Sequence, residues 1–165
     1  MATKSAMRSG RRDMRDLSQA EIEALLRQCK VGRIGIYDQH HQRTYVVPIS
    51  YEYRGGAAYL HSAPGLKLDL LHEQPAGVCF EVDDIADEGE WRSVIGWGRF
   101  EEISDPQERM RVLRLFGDRL LRGPLRERQR VGRGGMLGAG ETVYRVVFDE
   151  MSGRADTSGW LGTES

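Results

Sequence analysis

The spacing of apolar residues along the chain changes between two periods, one typical of helices and one typical of strands. A helical period follows Ser18, which has capping-box spacing to Glu21, and Gly32 is predicted to end this helix. A second long helix is predicted after Asp105 as its N-cap, and a short one over 66–73. The buried face of the second long helix is predicted to contain Met110, Leu113 and Leu120.

Strand character, with β-branched and aromatic residues between turn signals, appears in six further segments. These segments are 31–37, 44–53, 57–61, 77–82, 91–103 and 142–148. Arg54-Gly55-Gly56 is a strong hairpin signal, and the acidic stretch 83–90 is predicted to be a solvated hairpin loop. Hairpin connections favour antiparallel pairing, so the pattern predicts a mainly β (α+β) domain, an antiparallel barrel of six strands with flanking helices.

The composition supports a single globular domain with no global attraction to polyanions. The 165 residues include 24 basic and 25 acidic side chains, a net charge of −1, which gives no overall pull toward nucleic acid or an anionic membrane. No apolar run approaches the roughly 20 residues that cross a bilayer. We expect a disordered basic leader over 1–16, with a short transit peptide as the alternative, a domain over 17–155 and a tail over 156–165. Cys29 and Cys79 are interpreted as small buried residues of a reducing compartment, the cytoplasm.

Two local clusters are open to a binding interpretation and to a simpler one. The arginine-rich stretch 109–133 is predicted to be a solvated helix face followed by a flexible loop. Contact with an anionic substrate, a dinucleotide or nucleic acid is the alternative, which the lack of aromatic stacking residues disfavours. The pair His40-His41 is predicted to lie in a solvated turn, since it lacks carboxylate or cysteine partners at ligand spacing. No metal site is therefore predicted.

One strand end carries the residues expected at a phosphate site. His61 and Ser62 end a predicted strand, Gly65 turns the chain, and Lys67 lies in the first turn of the following helix. Free backbone N–H groups at a helix start, together with a lysine, attract a phosphate. The chain has only three lysines, which makes this position more noticeable. An ordinary helix start with a surface lysine is the alternative.

The order and spacing of several segments resemble one known family. VVPISY, YLHSAPGLK, CFEVD and WRSVIGWGRF follow one another, and the chain closes with VYRVVFDEMSGRAD. Together, over 17–155, they resemble the pyridoxamine-phosphate-oxidase-like flavoproteins, the FMN-binding split barrels, and within them the nitroimidazole-resistance branch. The resemblance implies a homodimeric split β-barrel that binds FMN at the subunit interface, with a small-molecule substrate.

The resemblance also implies roles for individual residues. Along the isoalloxazine ring it implies Val47, Pro48, Ile49 and Ser50. For the ribityl phosphate it implies His61, Ser62 and Lys67, with the amides around Gly65 and Leu66. From the partner chain it implies Trp91, Ser93 and Val94. Pro48 in mid-strand fits an edge or a cofactor-facing position, because proline cannot donate to a ladder. His61 is the candidate catalytic residue. The alternatives are that it only binds the phosphate or that its role is purely structural.

The activity implied is that of an FMN-dependent oxidoreductase. It would pass electrons from a nicotinamide donor to a small electrophilic acceptor, for example a nitroaromatic compound. No histidine follows His72, which argues against vitamin-B6 oxidation and against haem degradation of the kind that uses a late histidine. Leu66-Lys67 stands where many members have two basic residues, so a weaker phosphate grip is expected. A deazaflavin-dependent reductase, or a non-catalytic module that holds flavin or haem, is the alternative.

Overall fold

The structure is a computed structural model that describes residues 14–87, 89–122 and 140–156, without the side chains of 120–122. It is a mainly β domain with three helices. The strands are β1 (Met14–Asp16), β2 (Val31–Asp38), β3 (Arg43–Ser50), β4 (Glu52–Arg54), β5 (Ala57–Ser62), β6 (Ala76–Asp87), β7 (Glu90–Glu102) and β8 (Thr142–Asp156). The helices are α1 (Gln19–Gln28), α2 (Leu66–Glu73) and α3 (Pro106–Arg122).

One antiparallel sheet contains every described strand. Its order is β3-β2-β6-β7-β8-β5-β4, and β1 adds to β8. The two end strands, β3 and β4, are consecutive in the chain and are joined only by Tyr51. The phenolic hydroxyl of Tyr51 is buried and donates to the carbonyl of Leu26, 2.7 Å away, which fixes α1 beside this junction. Because β3 and β4 lie at the two ends of the strand order and do not pair with each other, the sheet is open between them. One face of the sheet packs on the main core.

Helix α1 begins as predicted but ends earlier. The hydroxyl of Ser18 accepts the backbone N–H of Glu21, and the Glu21 carboxylate accepts the backbone N–H of Ser18, which completes the capping box. The helix closes at Cys29, whose N–H donates to Leu25. The prediction that Gly32 ends the helix is wrong. Gly32 lies in β2 opposite Ile49, where an added Cβ would come within 2.5 Å of a core phenylalanine ring.

The sheet is larger than predicted, with eight strands instead of six. The segment 44–53 divides at Tyr51 into two strands, and three residues before Leu17 form β1. The predicted acidic loop 83–90 is mostly strand, because β6 continues to Asp87 and β7 begins at Glu90. Arginines on neighbouring strands neutralise part of this acidic stretch: Arg33 pairs with Asp83, and Arg92 with Asp84. The last strand likewise runs through to Asp156 rather than ending at 148.

Helix α3 begins at the predicted cap but turns a different face inward. The carboxylate of Asp105 accepts the N–H of Glu108 at 2.7 Å. Val112 and Phe116 are buried against a small cluster with Ile103 and Val143, and Leu113 is only partly buried. Met110 is 53% exposed, which corrects the prediction that it faces the core. It stands two positions before Val112 and therefore points away from the buried stripe of the helix. The side chain of Leu120 lies outside the described residues.

Candidate functional site

The turn from β5 into α2 supplies backbone amides that no side chain caps. Gly65 is the N-cap, with a φ of 157° that side-chain-bearing residues rarely adopt. Its carbonyl accepts the N–H groups of Leu68 and Asp69, and none of the described side chains caps the helix start. The first amides of α2, including that of Leu66, therefore remain available to an anion.

Lys67 lies in the first turn of α2 and is half-buried. Burial lowers the pKa of its ammonium. In the part of the chain that the structure describes, no carboxylate pairs with it, in contrast to Lys30, which lies 3.4 Å from Glu52. A half-buried cation without a carboxylate partner, beside uncapped amides, is suited to a phosphate.

The two polar residues at the end of β5 lie on opposite faces of the strand. Ser62 is buried on the core face, and its hydroxyl is 3.0 Å from the hydroxyl of Tyr144. Burial raises the pKa of Tyr144 to about 12, while the hydrogen bond with Ser62 acts in the opposite direction. His61 faces α3, with Nδ1 2.7 Å from the carboxylate of Glu141 and its ring edge-on to Phe116 at 4.6 Å. In this arrangement the two side chains therefore do not point toward one common phosphate.

Strand β3 presents its four candidate residues alternately to the two sides of the sheet. Ile49 is buried and Val47 packs partly against the main core. Pro48 and Ser50 are exposed on the outer face. Pro48 lies opposite Arg33 on β2, which is the single neighbour of β3 among the described strands, so the expected edge position is confirmed.

Two of the three candidate residues of β7, Trp91 and Ser93, border a cleft on the outer face. This cleft has a volume of about 350 Å³. It is lined by Trp91, Ser93, Ile95, Ser152, Gly153 and Arg154. The hydroxyl of Ser93 donates to the Glu81 carboxylate at 3.0 Å, and burial raises the pKa of Glu81. Val94 is 1% exposed and points into the core, so only its backbone can contribute to the cleft.

The sheet register separates these groups within one chain. Ser62 pairs with Thr142, near one end of β8, and Ser93 pairs with Arg154, near the other. The separation along β8 is about 40 Å at roughly 3.3 Å per residue. The phosphate candidates on β5 and α2 and the candidates on β7 thus lie at opposite ends of the same strand.

Sequence reasoning missed two acidic residues beside the candidates, Glu81 and Glu141. Glu81 lies within the CFEVD segment that carried the resemblance, between Arg33 on β2 and Ser93 on β7. Glu141 has no local signal, because the pairing of β5 with β8 brings it to His61 from 80 positions away.

The remaining clusters form no site of their own within the described residues. His40 is near Glu73, and the Nδ1 atom of His41 is 2.8 Å from the Asp38 carboxylate. Across the described ranges, no three His, Cys, Asp or Glu side chains converge as metal ligands, and both cysteines are free. Of the arginine-rich stretch 109–133, Arg119 hydrogen-bonds to the Tyr51 carbonyl, while positions 123–133 lie outside the described residues. No described helix is long and apolar enough to span a membrane.

Fold and site together define an antiparallel β domain that is open between β3 and β4, with an uncapped helix start beside a half-buried lysine. Residues 18–155 match the family model described as pyridoxamine 5'-phosphate oxidase. The chain belongs to this flavin-binding family, which confirms the resemblance found in the sequence.

Solved structures and one curated protein are similar to this chain. A FAD-binding protein of Mesorhizobium loti is 27% identical, with a TM-score of 0.69, and the match covers 86% of this chain and 97% of that one. A candidate 5-nitroimidazole antibiotic resistance protein of Bacteroides thetaiotaomicron has the same fold, at 23% identity, a TM-score of 0.63 and coverage of 86% and 88%. An uncharacterized protein of Rhizobium meliloti is 35% identical over 63 residues, which are 38% of this chain and 41% of that protein.

Proposed function

We propose that this protein is an FMN-dependent oxidoreductase that works as a homodimer and reduces a small electrophilic substrate, such as a nitroaromatic compound, with electrons from NAD(P)H. The observation that carries the proposal is Lys67, a half-buried cation with no carboxylate partner among the described residues, beside the uncapped amides of α2. This arrangement fits the terminal phosphate of a flavin nucleotide. When bound, the flavin would supply the redox chemistry.

Residues of this chain would bind and orient the cofactor. Lys67 and the amides of Leu66 and Lys67 would hold the phosphate. Pro48 and Ser50 on the open edge would offer backbone groups to the ring, as the resemblance implies. The cleft beside Trp91 and Ser93 would admit the substrate, and these residues would come from the partner subunit.

Two observations favour the homodimer. The candidate residues lie near opposite ends of β8, so a second copy is needed to bring them together. The outer face of the sheet also carries exposed apolar side chains in one cross-strand row, with Val46 57% and Trp97 39% exposed. Gly35 and Cys79 lie between these two residues in the register. An apolar row of this kind is typical of a face that a partner covers.

Flavin binding by the purified protein tests the cofactor. Absorbance and isothermal titration with FMN, and separately with FAD, are expected to show that FMN binds more tightly. Lys67→Ala should weaken FMN binding by roughly 10- to 100-fold, the usual size of a lost charge-assisted hydrogen bond. Lys30→Ala is the matched control, because Lys30 is already paired with Glu52, and should leave the affinity unchanged. A protein that binds neither flavin contradicts the proposal.

A flavin-binding module without turnover is the second candidate. It is favoured by the shortage of acid–base groups, because His61 is the sole acid–base residue assigned to the site. Oxidation of NAD(P)H by the FMN-loaded protein, with and without a nitroaromatic acceptor, separates the two. Acceptor-dependent turnover supports the enzyme, and bound flavin without turnover supports the module.

A further inference from the structure

The imidazole of His61 is held by two contacts of different kinds. Its Nδ1 atom lies 2.7 Å from the carboxylate of Glu141, and the ring meets Phe116 at an interplanar angle of 84°. Phe116 is itself buried in the cluster under α3. One contact fixes a nitrogen and the other fixes the plane of the ring.

The second ring nitrogen of His61 is accessible. Among the described residues Nε2 has no hydrogen-bond partner. Every buried side-chain nitrogen or oxygen in the same part of the chain does have one. It follows that Nε2 reaches the surface of the fold, on a side chain that is otherwise 19% exposed.

The pair of His72 and Glu102 shows how a histidine with both ring nitrogens engaged differs from His61. In that pair Nδ1 faces the carbonyl of Leu68 and Nε2 faces Glu102, both at 2.8 Å. Both nitrogens are occupied there, so that histidine serves structure. In His61 one nitrogen is occupied and one is left over. His41 shows the same pattern with Asp38, but its side chain is 62% exposed, whereas that of His61 is 19% exposed and packs on Phe116.

We propose that Glu141 is a positioning residue for His61: it keeps a proton on Nδ1 and so presents Nε2 of the neutral ring as a proton acceptor at the site. A carboxylate can only accept a hydrogen bond, so Nδ1 must donate. A neutral histidine free in water prefers its proton on Nε2, and Glu141 reverses that preference. The role rests on the proposed function, because it supposes that His61 serves the flavin site.

The backbone holds Glu141 in place for this role. Glu141 immediately precedes β8, and the neighbouring Thr142 pairs with Ser62, the residue after His61. The guanidinium of Arg109 on α3 donates to the backbone carbonyl of Glu141. The backbone of Glu141, from which the carboxylate extends, is therefore held by both the sheet and α3.

Nitrogen-15 NMR of the histidine rings tests the inference without flavin or turnover. The chain has only four histidines, and the His61 signals are identified by their loss in His61→Gln. At alkaline pH the wild-type protein should show His61 with its proton on Nδ1. Glu141→Gln should keep this form, since its amide oxygen still accepts, whereas Glu141→Ala should lower the ratio of Nδ1–H to Nε2–H by about tenfold. Glu102→Gln, which alters only the pair of His72 and Glu102, should leave the His61 signals unchanged.

The outcomes separate this inference from the proposed function. A wild-type spectrum with the His61 proton on Nε2 overturns the inference, whether or not any variant folds. An unchanged ratio in folded Glu141→Ala does the same. Protein that binds no flavin but shows Nδ1–H on His61 overturns the proposed function alone. With flavin bound, Glu141→Ala should also reduce turnover at least tenfold, and Glu141→Gln much less, if Nε2 takes part in proton transfer.

Discussion

The hydroxyl of Ser62 lies 3.0 Å from the phenolic oxygen of Tyr144, and both side chains are buried. This pair joins the last residue of β5 to β8 within the core, directly beneath the turn that leads to Lys67. The hydroxyl of Ser62 is therefore already engaged on the core side of the sheet. It fixes the end of the strand from which the turn to Lys67 begins.

Removing one half of this pair should cost more than removing both. Tyr144→Phe leaves the Ser62 hydroxyl buried without its partner, and the free energy of unfolding should fall by about 1–3 kcal/mol. Adding Ser62→Ala should recover part of that loss in a double-mutant cycle measured by urea unfolding. Tyr37→Phe, at a 49% exposed position, is the control and should change little. Additive effects of the two buried substitutions would contradict the pairing.

Two glycines should respond in opposite ways to alanine. At Gly98, beside the irregularity in the pairing of β7 with β8, a Cβ would come within 2.0 Å of the Val147 carbonyl oxygen. We expect Gly98→Ala to destabilise the fold by roughly 3 kcal/mol. Gly117 in α3 has open space around its Cβ position, so Gly117→Ala should stabilise by about 0.5–1 kcal/mol. Thermal unfolding measures both, and equal shifts would refute the expected contrast.

The stability of the fold should fall slightly as the pH rises above neutrality, because of His72. The hydrogen bond to Glu102 raises the pKa of His72; the Leu68 carbonyl and Asp69 also favour its charged form. The stabilisation is fully present below the unfolded pKa of about 6.5 and is lost as the pH rises through the higher folded value.

The site is largely exposed, so the effect should stay below about 1 kcal/mol. Urea midpoints measured at intervals from about pH 6 to 9 should show this decline in the wild type and a smaller one in His72→Gln. An equal decline of the urea midpoint with pH in the two proteins would show that His72 does not cause the effect.

The proposed dimer should depend on the outer face of the sheet. Trp97→Arg places a charge in the apolar row with Val46 and should convert the dimer to monomer, with at least a tenfold rise in the dissociation constant. Met110→Arg is the control, since Met110 is equally apolar and 53% exposed but lies on α3. Light scattering after gel filtration measures the mass. A wild-type monomer would contradict the homodimer directly.

Local signals in the sequence predicted the helix starts well. The capping box at Ser18, the cap at Asp105 and the bounds of α2 follow from side chains within one turn of the boundary. The errors occur where distant residues decide. Gly32 is required in β2 by the approach of Phe80, and the acidic end of β6 is held in the sheet by arginines from neighbouring strands.

The candidate site divides in the same way. The uncapped start of α2 and Lys67 could be predicted, because strand end, glycine turn and lysine lie within seven residues. The pairing of His61 with Glu141 could not, because only the register of β5 against β8 brings them together. Alternation along β5 also places His61 and Ser62 on opposite faces, a consequence that the resemblance by itself did not reveal.

Strand β8 also determines when this protein can fold. It pairs with β7, β5 and β1, so it joins segments from near both ends of the described chain, including Met14 opposite Asp156. During synthesis, β5 and β7 lack their shared partner strand until residues 142–156 leave the ribosome, and the apolar side chains that β8 covers stay exposed until then. Such late, long-range closure is slow and prone to aggregation. Expression should therefore benefit more from slower growth or added chaperones than from changes at the surface.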